Sequence, residues 1–254
     1  MVRVVFIGFG NVNQQLCNAL QHSATVNVVQ IYNRSAIAPV VNAVPIPRTQ
    51  DFSEIMEADV YIIGVPDDAI SGVSAQLPFK DRLTVHTSGS VSLQEISNTD
   101  RRGVFYPLQT FSKDRTVDFS EIPICIEAET PTDLRLLREL SEAISPKVTE
   151  ISSEERRIVH LAAVFVNNFG NYLYQVSHAL LQEKNLDFEL LRPLIRETAE
   201  KAISLSPYAA QTGPARRNDR KTIEKHLHLL PEGTTRELYI LVTEAIQNTY
   251  GKKL

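Results

Sequence analysis

Met1-Val2-Arg3-Val4-Val5-Phe6-Ile7-Gly8-Phe9-Gly10-Asn11-Val12-Asn13 joins an apolar, β-branched run to two glycines set one residue apart. After it, Val12, Leu16, Ala19 and Leu20 recur at helical spacing. The run reads as a buried strand and the sequel as an amphipathic helix. Between them the first glycine permits a tight turn, and the second lets backbone approach a diphosphate. The helix start adds unpaired N–H groups and a positive dipole end. Gly8, Gly10, Asn11 and Val12 are therefore expected to hold the phosphates of a dinucleotide. Asn13 stands where the usual fingerprint has glycine or alanine. A side chain of that size is expected to push the helix outward or to turn toward the phosphates.

Further along, Val26–Tyr32, Asp59–Val65, Leu83–Thr87, Val104–Tyr106 and Ile122–Glu127 read as buried strands. Helical spacing recurs at Ile70, Val73 and Leu77, and at Leu134, Leu137, Leu140 and Ile144, the latter after Thr132 or Asp133 as a cap. Strand-helix alternation of this kind predicts an α/β fold, a Rossmann-type mainly parallel sheet covered on both faces. From about Ser152 the texture changes. No Gly or Pro interrupts until Gly170, which predicts a helix of about 30 residues. Further helices are expected over Phe188–Leu205, Asp219–Leu229 and Thr234–Thr249. The expected organisation is a dinucleotide-binding domain over 1–151 and an all-helical substrate and dimerisation domain over 152–254.

A formal charge of −4 gives no general attraction for nucleic acid. No apolar stretch approaches the roughly 20 residues of a membrane span, and the start lacks the features of a signal peptide. Two isolated cysteines, Cys17 and Cys125, read as reduced and buried, so a cytoplasmic location is expected.

The end of the second strand bears on the cofactor. NAD-binding domains place Asp or Glu there for the ribose hydroxyls, but this chain has Tyr32-Asn33-Arg34-Ser35. Arg34 offers a forked cation and Ser35 a hydroxyl, so NADP is favoured over NAD, with Asn33 beside them. Val65-Pro66-Asp67-Asp68 and His86-Thr87-Ser88-Gly89-Ser90 follow two later strands and are expected beside the nicotinamide half. There Val65, Pro66 and Ser88 are candidate cofactor contacts, and Asp67 or Asp68 a helix cap. His86 is either an acid/base group facing the cleft or a histidine that merely braces its turn.

In the helical half, His160 and Asn167 lie two turns apart and share a face, with Asn168 adjacent. Unpartnered burial of these groups would be costly, so a cleft or a polar network is expected. His226 and His228 fall on different sides of a helix, and no metal site is expected. The irregular segment Gln211–Asp219, with its basic cluster, reads either as a solvated face or as a loop that offers Thr212, Gly213, Arg216 and Arg217 to an anionic substrate, with Asp219 capping the next helix.

The Gly8–Asn13 loop, the His86–Gly89 turn, Tyr106-Pro107-Leu108-Gln109-Thr110-Phe111, the His160–Asn168 stretch and Thr212-Gly213-Pro214 with Arg216, Arg217 and Asp219 together resemble a family of candidate NADP oxidoreductases. Its members pair a Rossmann-like domain with a helical C-terminal domain of uncharacterised function. The plan is more distantly similar to pyrroline-5-carboxylate reductase and the β-hydroxyacid dehydrogenases. The dehydrogenases carry a catalytic Lys three residues before paired asparagines, a place taken here by Val164. That mechanism is therefore not carried over. The resemblance implies homodimerisation through the helical domain and does not supply a substrate.

The expected function is hydride transfer between NADP(H) and a small, anionic carbonyl or imine substrate. His160, His86, Asn167 and Asn168 are the candidate catalytic groups. The alternative from another class is a non-catalytic NADP-binding sensor or regulatory protein.

Overall fold

The computed structural model describes residues 1–36, 45–112 and 115–251. The chain divides into two compact units, Met1–Asn168 and Phe169–Leu254.

The first unit is built on one sheet with strand order β3-β2-β1-β4-β5-β6-β7-β8. The strands are β1 (Val2–Ile7), β2 (Val26–Tyr32), β3 (Arg48–Thr49), β4 (Val60–Ile63), β5 (Leu83–His86), β6 (Arg101–Pro107), β7 (Ile124–Ala128) and β8 (Val148–Glu150). All neighbours pair in parallel except β6 and β7. Helix α1 (Asn11–Leu20) follows β1, the short α2 (Ile70–Ser74) follows β4, and α3 (Pro131–Glu142) follows β7. This is the Rossmann-like α/β sheet that the alternation predicts.

Period-two alternation divides β1 between two cores. Val4 and Phe6 pack with Leu16 and Leu20 of α1, while Val5 and Ile7 pack with Ile63 of β4 and Ile70 of α2. Both faces are thus covered, which is why the central strands read as unbroken apolar runs. Strand order reverses at β1, with β2 on one side and β4 on the other. Loops at the carboxyl ends of these strands border the crevice in which open α/β sheets hold ligands.

Two expected caps are corrected. Thr130, not Thr132 or Asp133, caps α3: its side chain accepts from the Asp133 N–H at 3.1 Å, and Pro131 supplies a preset first turn. Neither Asp67 nor Asp68 caps the turn after β4. Pro66 takes that position, and the Asp67 carboxylate instead accepts from the Ser90 hydroxyl, tying two loops together. Strands β3 and β8 escape the sequence pattern because two or three residues carry no periodicity.

The expected long helix is an unbroken helical run from Ser153 to Gln182. It comprises α4 (Ser153–Ala163), a π-helical turn over Val164–Phe169, and α5 (Gly170–Gln182). Ser152 starts it with a capping box: its hydroxyl accepts from the Glu155 N–H while Glu155 accepts from the Ser152 N–H. Although α4 opens where the texture changes, its contacts keep it with the first unit. Arg156 is fully buried and ion-paired to Glu127 of β7, and Ser153 donates to the same carboxylate at 2.8 Å.

The second unit continues with α6 (Arg192–Ser204), α7 (Pro207–Ala210), α8 (Arg220–Leu229) and α9 (Thr234–Tyr250). Asp219 caps α8 as expected, accepting from the Thr222 N–H at 3.1 Å. Among the described residues of this unit only Ala215 and Thr243 are buried.

Candidate active site

The loop after β1 has the geometry its glycines imply. Gly8 sits at φ +82°, and a Cβ there would lie 2.7 Å from Cγ1 of Val65 and 2.9 Å from the Gly64 carbonyl. Only glycine fits, in conformation and in space. Gly10 takes the cap position of α1 with no side-chain cap, and no acidic residue occupies the first turn. Among the described residues, the N–H groups of Gly10, Asn11 and Val12 make no hydrogen bond. A helix end with free donors and no competing carboxylate is suited to an anion.

Asn13 does neither of the things expected of it. It is fully buried, and its Nδ2 turns inward to donate to the carbonyls of Gly8 at 2.7 Å and Ile62 at 3.2 Å. Gly64, at the end of β4, makes room: a Cβ there would come within 2.5 Å of the Asn13 amide. The close helix-strand approach that a third glycine usually provides is met here by a glycine on the facing strand. The side chain of Asn11 also points away from the helix axis, its Nδ2 donating to the Phe111 carbonyl at 3.2 Å.

Asn33 links this loop to the end of β2. Its Oδ1 accepts from the Phe9 N–H at 3.0 Å and its Nδ2 donates to the Ser35 carbonyl at 2.8 Å. Arg34 and Ser35 beyond it are exposed. On the other side of β1, Val65 is half-buried against Gly8 and Pro66 is exposed.

At the end of β5 the His86 ring lies inside its own turn. The ring is fully buried; Nδ1 accepts from the Ser88 N–H at 3.2 Å, and Nε2 lies 3.4 Å from the Ser92 carbonyl. Burial, with the nearby Arg156 guanidinium, lowers its pKa to about 4. Both ring nitrogens are thus engaged within the turn, which favours the bracing role. Ser88 completes the turn, its hydroxyl accepting from the N–H groups of Ser90 and Val91 at 3.1 Å.

His160 packs against this turn. A Cβ on Gly89 would lie 2.5 Å from Nδ1 of His160 and 2.8 Å from Cζ of Tyr106. The Tyr106 hydroxyl is 3.1 Å from that same Nδ1, with the rings edge to face. Burial pushes the Tyr106 phenol up to about 12, so it keeps its proton at neutral pH. With the phenol donating to Nδ1, the imidazole hydrogen of the neutral ring sits on Nε2.

Asn167 and Asn168 lie in the π turn, exposed. A π turn holds one residue more than an α turn. The row that starts at His160 is therefore displaced along the helix, and Asn168 returns to the His160 side where an unbroken α-helix would bring Asn167.

In the second unit, Gly213 takes φ +100° and Thr212 is exposed. Arg216 donates to the Gln211 carbonyl and lies 5.5 Å over the ring of Tyr250, which stacks on Tyr208. Arg217 is exposed. Among the described residues no cluster of His, Cys, Asp and Glu could hold a metal ion, and no helix is long and apolar enough to cross a membrane.

Sequence reasoning passed over Gly64, Arg156 and the Tyr106–His160 contact. Gly64 was legible as a lone glycine closing an apolar strand. Arg156 carried no signal, because an arginine on a helix usually faces water.

A solved structure of a candidate NADP oxidoreductase from Bacteroides fragilis is 37% identical, with a TM-score of 0.88 over 97% of this chain and 98% of that one. The chain belongs to this family. Residues 122–246 also match a family model described as a domain of unknown function, DUF2520. Thermotoga maritima protein TM1727 is 22% identical with a TM-score of 0.79, covering 98% of this chain and 100% of that one. A Plasmodium falciparum pyrroline carboxylate reductase, solved with NADP bound, is 15% identical with a TM-score of 0.59, covering 98% and 93%. The last two share the fold. No curated protein matches the chain.

Proposed function

We propose that this protein is an NADP(H)-dependent oxidoreductase acting on a small, anionic carbonyl or imine compound. The observation that carries the reading is the opening of α1: a Gly8 that no other residue could replace, followed by three free N–H groups and no acidic neighbour. Membership of the Bacteroides fragilis protein's family supports it, and so does the NADP in the pyrroline carboxylate reductase of like fold.

In this reading Gly8, Gly10, Asn11 and Val12 hold the diphosphate, Asn11 through its backbone. Arg34 and Ser35 take the 2′-phosphate, and Asn33 fixes the two loops relative to each other. Val65, Pro66 and Ser88 border the nicotinamide end. The cofactor supplies the hydride. The protein's part is to orient the substrate and to manage one proton: Nε2–H of His160 donates to the oxygen or nitrogen that gains electron density, or accepts in the reverse direction. Tyr106 and the Gly89 turn hold the ring for that task, and Asn168, with Asn167, offers amide groups to the substrate. Arg216 and Arg217, with Thr212 and Gly213, are the groups for a substrate carboxylate. The polar His160–Tyr106 pair beside the turn favours an enzyme over a sensor, which would need no proton donor there.

The helical segment 152–254 serves in this reading as the dimerisation domain. Ile158, Leu161, Phe165, Phe169 and Tyr172 are each at least half exposed and recur every three or four residues. A second copy of the chain is the partner proposed to cover them. The two unpaired, buried cysteines support a cytoplasmic location.

The test is NADPH oxidation, followed by loss of nicotinamide absorbance, against a panel of keto acids and cyclic imines. Turnover is expected with at least one compound, and His160→Gln is expected to abolish it while sparing NADPH binding. Full turnover in that variant would remove His160 from the chemistry.

A further inference from the structure

A groove at the carboxyl ends of β2 and β3 is lined by Asn33, Ser35, Arg48, Thr49, Gln50 and Glu54. Arg48 reaches it because β3 pairs in parallel with β2, Arg48 opposite Ile31 and Thr49 opposite Tyr32. Alternation along the strand buries Thr49 and leaves Arg48 exposed. Asn33 belongs both to this groove and to the glycine loop, since its Oδ1 holds the Phe9 N–H. A dinucleotide whose diphosphate rests on the start of α1 therefore runs its adenosine past Asn33 into the groove.

The groove's charge is mixed. Glu54 contributes a carboxylate, held by the Thr49 hydroxyl. Asp51, nearby, accepts from the N–H and hydroxyl of Ser53 at 2.8 Å, and these bonds keep it ionised. Carboxylates beside a dianionic phosphate repel it, and a second cation next to Arg34 offsets that repulsion. Arg48 is the cation that lines the groove itself, and its planar fork matches a phosphate oxygen pair.

We propose that Arg48 is a specificity-determining residue that binds the adenosine 2′-phosphate together with Arg34, and so selects NADP over NAD. This rests on the nicotinamide-nucleotide reading above and extends it to a residue on a different strand.

The experiment is a set of calorimetric titrations of the intact protein and of Arg48→Ala with four probes: NADPH, NADH, adenosine 2′,5′-bisphosphate and 5′-AMP. Arg48 is exposed, so the variant is expected to fold, and NADH and 5′-AMP serve as its internal controls. Loss of a charge-assisted contact should weaken NADPH and the bisphosphate by roughly tenfold or more. NADH and 5′-AMP should bind as before. Equal weakening of NADPH and NADH, or of neither, would overturn the role of Arg48 while leaving the cofactor reading intact. Failure of the unaltered protein to bind any of the four would overturn both.

Discussion

The two units of this chain are stabilised in different ways. The first buries a strand-centred core on both faces of its sheet, from Val4 and Phe6 on one side to Val5 and Ile7 on the other. The second has helices with good caps, such as Ser206 and Asp219, yet buries only Ala215 and Thr243 among its described residues. Helix propensity and capping give local structure, but tertiary packing supplies most helical stability. A unit of this size with so little buried surface has little core of its own. The difference is one of burial: the sheet unit has its own two-sided core, and the helical unit is the one for which a second copy is proposed as cover.

That contrast breaks most visibly at the exposed apolar positions of the long helical run. Phe169→Asp combined with Tyr172→Asp should convert a dimer to a monomer, halving the mass seen by sedimentation. An unchanged mass, or a monomer before substitution, would remove the second copy as the cover for these residues. The next largest effect tests the first unit's self-sufficiency. Arg156 is fully buried, paired with Glu127 and donating to the Val91 carbonyl and, at 3.2 Å, to the Ser153 hydroxyl. Arg156→Met strips Glu127 of its partner and should cost about 3 kcal/mol or more in urea unfolding. A cost below about 1 kcal/mol would mean that α4 is not anchored through this pair.

A smaller effect sharpens the same point through pH. His86 has a folded-state pKa of about 4, below its ordinary 6.5, because burial penalises the charged ring. Between those values the unfolded chain binds the proton and the folded one does not. Stability should therefore fall as pH drops from 6.5 toward 4, and His86→Gln should flatten that part of the profile. An unchanged slope would place the acid sensitivity elsewhere.

How much was legible in the sequence follows the range of the interactions. The glycine loop, the six longer strands and the long helical run rest on neighbours a few residues apart, and the sequence pattern carries them. Asn13 was misread because its partners, Gly64 and the Ile62 carbonyl, come from a strand about 50 residues away. His86 could be read two ways because strand-end position does not tell whether a ring points into the core or into the crevice. The His160–Asn167 row assumed a regular helix, and no residue pattern announced the π turn at Val164–Phe169. The pairing of Tyr106 with His160 joins a strand to a helix across 54 positions, beyond any local signal.

The claim beneath all of this is that a nicotinamide dinucleotide rests on the amide-rich start of α1. Calorimetry of the unaltered protein with NADPH tests it directly. Saturable uptake of one equivalent per chain, tighter than for NADH, is the predicted result. No heat of binding with either nucleotide would contradict the account.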